Sequence, residues 1–163
     1  NPVIRCFLRK GTKMKMRNIS ISMAFVLLMV FGVFAPYAVA SDMLLSEQKV
    51  GSPETVDGAK SINAQEAKSL FNQGVIFVDV RKDSDWEAGR IPGAEHLDLE
   101  SNYSEEALLA VVSKDDPVVI YCNGIFCLRS SEAAKKAVKW GYQKIYYFRE
   151  GYPSWKQSDY PVE

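Results

Sequence analysis

Metal-binding side chains are scarce in this 163-residue chain, which has one histidine, His96, and three cysteines, Cys6, Cys122 and Cys127. That set is too small and too scattered for a four-ligand zinc site, so no metal and no other cofactor is expected. A basic excess is missing too: twenty Lys and Arg face twenty Asp and Glu. Six of the basic residues lie in residues 1–40, which hold no acid, so residues 41–163 carry fourteen against all twenty acids. An acidic body without a basic cluster argues against nucleic acid or an anionic lipid surface as partner. Long hydrophobic runs are limited to Ile19–Phe34, broken only by Ser20, Ser22 and Gly32. This run is short of the ~20 residues that span a bilayer. Lys13, Lys15 and Arg17 precede it, and Ala38-Val39-Ala40 follows. A basic start, a short apolar stretch and small residues at a cleavage site read as a secretory signal peptide. Cleavage is expected after Ala40, and length and the Ala-x-Ala site disfavour a retained anchor. Met14 or Met16 would open a compact signal, so residues 1–40 read as upstream residues plus signal peptide. The mature chain is then expected to be exported, periplasmic or secreted, with no membrane attachment.

Two cysteines, Cys122 and Cys127, remain in that mature chain. In an oxidising compartment their redox state matters. Residues 41–60 are polar, contain Gly51, Pro53 and Gly58, and show no period, so they read as a flexible linker. The domain is expected over residues 61–163. Asn63 and Glu66 have capping-box spacing, with Ala64, Ala67, Leu70 and Phe71 on one helical face and Gly74 as the stop. Residues 75–78 and 118–121 are uninterrupted apolar runs, as in strands buried on both faces. Residues 144–148 read as a third strand, and an extended segment is expected around His96-Leu97. Helices are expected over 83–89, 104–112 (Leu108, Leu109 and Val112 inward), 130–140 (Ala133, Ala134, Ala137 and Val138 on a sheet) and 153–157. Strands alternating with helices predict an α/β domain with a central, mostly parallel sheet flanked by helices on both faces. Sites in such sheets lie beyond the carboxyl ends of the strands, where Cys122 falls.

The segment Cys122-Asn123-Gly124-Ile125-Phe126-Cys127-Leu128-Arg129-Ser130 joins the strand at 118–121 to a helix start. Unpaired amides and the positive dipole end there favour a thiolate, so the Cys122 pKa is expected below the free value. Arg129 adds a positive charge able to bind an oxyanion, and Gly124 permits a tight curl. Strand, Cys, curled loop, Arg-Ser and an Ala-rich helix together resemble the active-site loop of rhodanese-domain sulfurtransferases. Val78-Asp79-Val80-Arg81, Trp86-Glu87-Ala88-Gly89-Arg90-Ile91-Pro92-Gly93-Ala94 and Arg149-Glu150-Gly151-Tyr152-Pro153-Ser154-Trp155 resemble three further segments of that family. The resemblance covers roughly residues 61–163 and implies a single rhodanese-like domain. It implies that Cys122 carries a transferable sulfur, that Arg129 and the backbone of Asn123, Gly124, Ile125, Phe126, Cys127 and Leu128 cradle an anion, and that Asp79 and Arg81 brace the site. The loop departs from the family in three ways. Six residues separate Cys122 from Arg129, where the sulfurtransferases have four and related phosphatases five; Cys127 is an additional thiol; and Glu150 stands where the family has a glycine.

The leading expectation is sulfur transfer: a Cys122 thiolate takes the outer sulfur of a donor such as thiosulfate, and a thiol or cyanide removes it. The partners implied are a small-molecule or protein sulfur donor and a thiol acceptor. Rivals are an exported thiol–disulfide protein using Cys122 and Cys127, a non-catalytic sulfur- or anion-binding module, and a phosphatase, whose loop spacing does not match. Cys127 is open to three readings: resolving thiol, second sulfur acceptor or structural residue. His96 is expected to be a half-buried structural residue, and Trp86, Trp140 and Trp155 packing residues.

Overall fold

A computed structural model describes residues 50–163. The expected signal peptide, its cleavage site, Cys6 and residues 41–49 of the linker lie outside the described residues. The elements run β1 (Ala59–Ser61), α1 (Ala64–Asn72), β2 (Ile76–Asp79), α2 (Asp83–Glu87), β3 (Glu95–His96), α3 (Glu105–Val111), β4 (Val118–Tyr121), α4 (Arg129–Lys139), β5 (Ile145–Phe148) and α5 (Gly151–Gln157). No helix among the described residues is long and apolar enough to cross a membrane.

The five strands form one sheet in the order β1-β5-β4-β2-β3, and every neighbouring pair is parallel. The register sets Asp79, Tyr121 and Phe148 level with one another. Val80, Cys122 and Arg149 therefore leave the sheet along one edge. Side chains alternate between the two faces with period two. Val118, Ile120 and Tyr147 pack with Leu108, Ala133, Ala134 and Ala137 from α3 and α4 on one face. Phe77, Val119, Tyr121 and Phe148 pack with Ala64, Ala67 and Trp155 from α1 and α5 on the other. Burying each large member contributes roughly 1.5–3 kcal/mol. The apolar runs that predicted β2 and β4 are thus strands covered on both faces, and the expected α/β architecture is present.

The helix signals match closely. The Asn63 side chain accepts from the Glu66 amide at 2.9 Å while the Glu66 carboxylate accepts from the Asn63 amide at 3.1 Å. Two expectations need correction. Residues 51–60, read as linker, belong to the domain: Ser52 and Val56 are buried, and β1 pairs with β5. This edge strand is only Ala-Lys-Ser, too short and too polar to show a period. Leu109 is 52 % exposed rather than inward, because α3 turns Leu108 and the following Val112 into the core, with Ala107 and Val111 packed against it.

At the end of β2, Asp79 and Arg81 form an ion pair 0 % and 2 % exposed. Arg81 donates through Nε to both Asp79 oxygens at 3.0 and 2.9 Å and through Nη2 to Oδ2 at 2.6 Å. Nη2 also donates to the Gly89 carbonyl at 2.7 Å, and the guanidinium lies 4.5 Å from the centre of the Tyr152 ring. The pair ties β2 to the chain after α2 and to α5. Removing one partner of a buried pair strands the other's charge. Arg81→Leu is therefore expected to lower stability by about 3–5 kcal/mol in urea denaturation; a loss within that of an ordinary surface substitution would contradict the bracing role.

Candidate active site

Cys122 is the first residue after β4, and the loop it opens is held by contacts from three other segments. From α5, the Tyr152 amide donates to the Cys122 carbonyl at 3.0 Å. Gly151, just before it, has φ +59°, and a Cβ there would collide with the Cys122 carbonyl group. From the N-terminal segment, the Ser52 amide and hydroxyl donate to the Ile125 carbonyl at 2.7 and 3.0 Å. Arg149 pins Ser52 in turn, donating through Nε and Nη2 to its carbonyl at 3.1 and 2.8 Å. From α2, Asp85 accepts from the Asn123 amide group at 2.7 Å. Within the loop, Gly124 at φ +97° starts a turn closed by the Cys127 amide donating to the Gly124 carbonyl at 2.9 Å. Glu150 sits at φ −69°, a right-handed conformation any residue adopts, so a non-glycine residue there leaves the turn intact.

The two thiols end up in different surroundings. Cys122 continues the parity of Val118 and Ile120, so its side chain points to the α4 face, joins the core there and is 0 % exposed. Its Sγ lies 3.0 Å from Ser130 Oγ and 3.4 Å from the Cys127 carbonyl oxygen. Burial pushes its pKa up, with Cys127 beside it adding to the rise. Desolvation of this inward-pointing sulfur works against the lowering expected from the helix start. The lowering occurs instead at half-buried Cys127, pulled down to about 6 by a hydrogen bond from the Cys122 thiol, against the effect of burial. The backbone amides of Asn123 and Arg129 and the Arg129 charge also favour the Cys127 thiolate.

Arg129 is the first residue of α4, and its guanidinium meets two carboxylates. Nη1 meets Asp98 at 2.5 Å and the Val80 carbonyl at 3.2 Å, while Nη2 forms an ion pair with Glu100 at 2.8 Å. Burial works against ionisation of Asp98, but the Glu100 amide and Arg129 outweigh it and hold the carboxyl below its ordinary range. The positive charge expected to bind an oxyanion is thus paired with two carboxylates. Arg129 still lines a cleft of about 490 Å³ together with Lys82, Ser84, Asp85, Asn123, Phe126 and Cys127. Ile125, Phe126 and Leu128 expose much of their side chains on the loop. His96 stacks on Trp86 at 4.7 Å, with its Nε2 3.1 Å from the Arg81 carbonyl. That placement is the structural one expected. Among the described residues no group of three His, Cys, Asp or Glu side chains is placed to hold a metal. Ser52, Asp85, Asp98, Ser130 and Arg149 hold the site but escaped the candidate set. Only Ser130 and Arg149 carried a signal, as members of the motifs quoted above.

A parallel α/β sheet with a cysteine loop at its carboxyl edge defines a class of small thiol-bearing domains. The Rhodanese-like domain family matches residues 63–158, and the chain belongs to that family. It is 31% identical over 104 residues to the thiosulfate sulfurtransferase GlpE of Pseudomonas fluorescens SBW25, covering 64% of this chain and 90% of the relative. The Alr3790 protein of Anabaena superimposes with a TM-score of 0.55 at 23% identity, over 63% of this chain and 80% of that one, a likeness of fold. RPA3614 of Rhodopseudomonas palustris, described as a possible tyrosine phosphatase, gives a TM-score of 0.55 at 25% identity, over 69% of this chain and all of that one.

Gly151→Ala combines a positive φ with a backbone collision, and no rotamer relieves either. The expected cost is about 2–4 kcal/mol by urea denaturation. A cost below about 0.5 kcal/mol would show that the loop does not depend on this fit.

Proposed function

We propose that this protein is a sulfurtransferase that moves sulfane sulfur from an anionic donor such as thiosulfate, through a cysteine persulfide in the Cys122–Arg129 loop, to a thiol or cyanide acceptor. The observation that carries this reading is a pair of free thiols on one curled loop at the carboxyl edge of the sheet, Cys122 directly after β4 and Cys127 lining a cleft together with Lys82 and Arg129. A loop thiolate attacks the outer sulfur of the donor. The bond between that sulfur and the sulfonate sulfur breaks, and sulfite leaves with the electron pair. An acceptor thiolate or cyanide then takes the terminal sulfur, and the loop thiolate is restored. Attack by a thiolate needs no general base, which agrees with the structural placement of His96. Backbone amides stabilise the anionic sulfur throughout. An exported site of action belongs to the same reading and rests on the basic, apolar and Ala-x-Ala segments of residues 13–40.

Thiol–disulfide exchange is the second reading, favoured by the closeness of the two thiols, each of which perturbs the other. Thiocyanate formation from thiosulfate and cyanide separates the two. The unaltered protein is expected to turn over, and the double variant Cys122→Ser/Cys127→Ser to fall to the rate without protein. Turnover that survives loss of both thiols would refute the sulfurtransferase reading.

A further inference from the structure

The loop carries one thiol more than sulfur uptake requires, and the fold sets that thiol against the first. Gly124, at φ +97°, turns the chain, and the Cys127 amide donates to the Gly124 carbonyl at 2.9 Å. The turn brings Cys127 back to Cys122. Cys122 Sγ lies 3.4 Å from the Cys127 carbonyl oxygen, and a hydrogen bond joins the two thiols. Cys127 packs against the same core cluster that encloses Cys122, while Ser130 Oγ holds the Cys122 sulfur from α4 at 3.0 Å. Both thiols are free. An external acceptor has to enter the cleft to meet a persulfide on Cys122, whereas Cys127 is already beside that sulfur and on the cleft wall. A neighbour held in place reacts as though it were present at very high concentration.

We propose that Cys127 is a resolving thiol: when no acceptor discharges a persulfide on Cys122, Cys127 does, releasing the sulfur as hydrosulfide and closing a Cys122–Cys127 disulfide. This rests on the sulfurtransferase reading and adds a reductive activity to it. Uptake leaves the donor's outer sulfur bonded to Cys122 Sγ. The atom that the Cys127 thiol adjoins is Cys122 Sγ itself, which becomes the inner sulfur of the persulfide. Cys127 Sγ attacks there with its electron pair, a sulfur–sulfur bond forms between the two cysteines, and the bond to the terminal sulfur breaks. The terminal sulfur leaves with that bonding pair and a proton as hydrosulfide. It is reduced by two electrons, and the two cysteines are oxidised to the disulfide. An external dithiol resets the loop by exchange with this disulfide and is itself oxidised. The sum is thiosulfate and a dithiol giving sulfite, hydrosulfide, a proton and the oxidised dithiol.

The test is a single turnover of the full chain, reduced, freed of reductant and kept without oxygen, with thiosulfate and no acceptor. Sulfite, sulfide and the intact mass are followed together. The unaltered protein is expected to release one sulfide for each sulfite and to end lighter by two hydrogens, with peptide mapping joining Cys122 to Cys127. Treatment with dithiothreitol, followed by its removal, should restore an equal second turnover. Cys127→Ser should release the same sulfite and no sulfide, and should keep one added sulfur on Cys122. Cys122→Ser should release neither. Sulfite without sulfide from the unaltered protein, ending in a lasting persulfide, would overturn the resolving role and leave the sulfurtransferase reading standing. Sulfide from Cys127→Ser, or sulfite from Cys122→Ser, would overturn the resolving role as well. Absence of sulfite from the unaltered protein would refute the sulfurtransferase reading and the resolving role together.

Discussion

Where α5 begins, the backbone of Gly151 lies against the carbonyl of Cys122 with no room for a side chain, and the next amide, that of Tyr152, donates to that carbonyl. The cysteine loop has no regular ladder of its own, so its shape comes from such contacts. Ser52 holds its middle, Asp85 holds Asn123, and Gly151 with Tyr152 holds its root. These anchors come from the two ends of the domain and from α2, so the loop keeps its curl only when the whole sheet edge is assembled. A loop fixed before substrate arrives presents its amides without reorganising them, which is the condition under which such donors stabilise developing charge best.

The same constraint sorts the two thiols. One residue follows the strand's alternation into the core, and five residues later the turn leaves its counterpart half-buried against the same cluster and on the wall of the cleft. Identical side chains thus acquire opposite tendencies from desolvation and from hydrogen-bond donors. For Cys127, whose folded pKa lies below that of an unfolded thiol, ionisation stabilises the fold at alkaline pH. That contribution is lost as pH falls toward about 6. Arg129 acts on this arrangement from the start of α4. Its ion pairs with Asp98 and Glu100 bind the helix to the chain after β3, and its charge favours the neighbouring thiolate.

Much of this was legible in the sequence, for physical reasons that differ by element. The capping box of α1, the doubly covered strands β2 and β4 and the Ala-rich face of α4 depend on neighbours close in the chain, so pattern alone specifies them. The loop and the Asp79–Arg81 brace were legible through spacing and motif. β1 was not, because an edge strand of three residues carries no period. The partners of Arg129 were not either, since Asp98 lies 31 residues away and only the fold brings it near. The full burial of Cys122 was hidden for a related reason: a helix start can be read from sequence, whereas the depth of a side chain against it depends on strand parity, turn geometry and the packing of α4.

The central claim is that a loop thiolate attacks the outer sulfur of an anionic donor and expels the remainder. Rapid mixing of the reduced protein with thiosulfate, with no acceptor present, tests it most directly. The account predicts a burst of sulfite close to one equivalent per chain, followed by no further release, because a loop that has taken up sulfur stays spent when nothing restores its thiols. Absence of a sulfite burst from protein whose two thiols are reduced and titratable would contradict it.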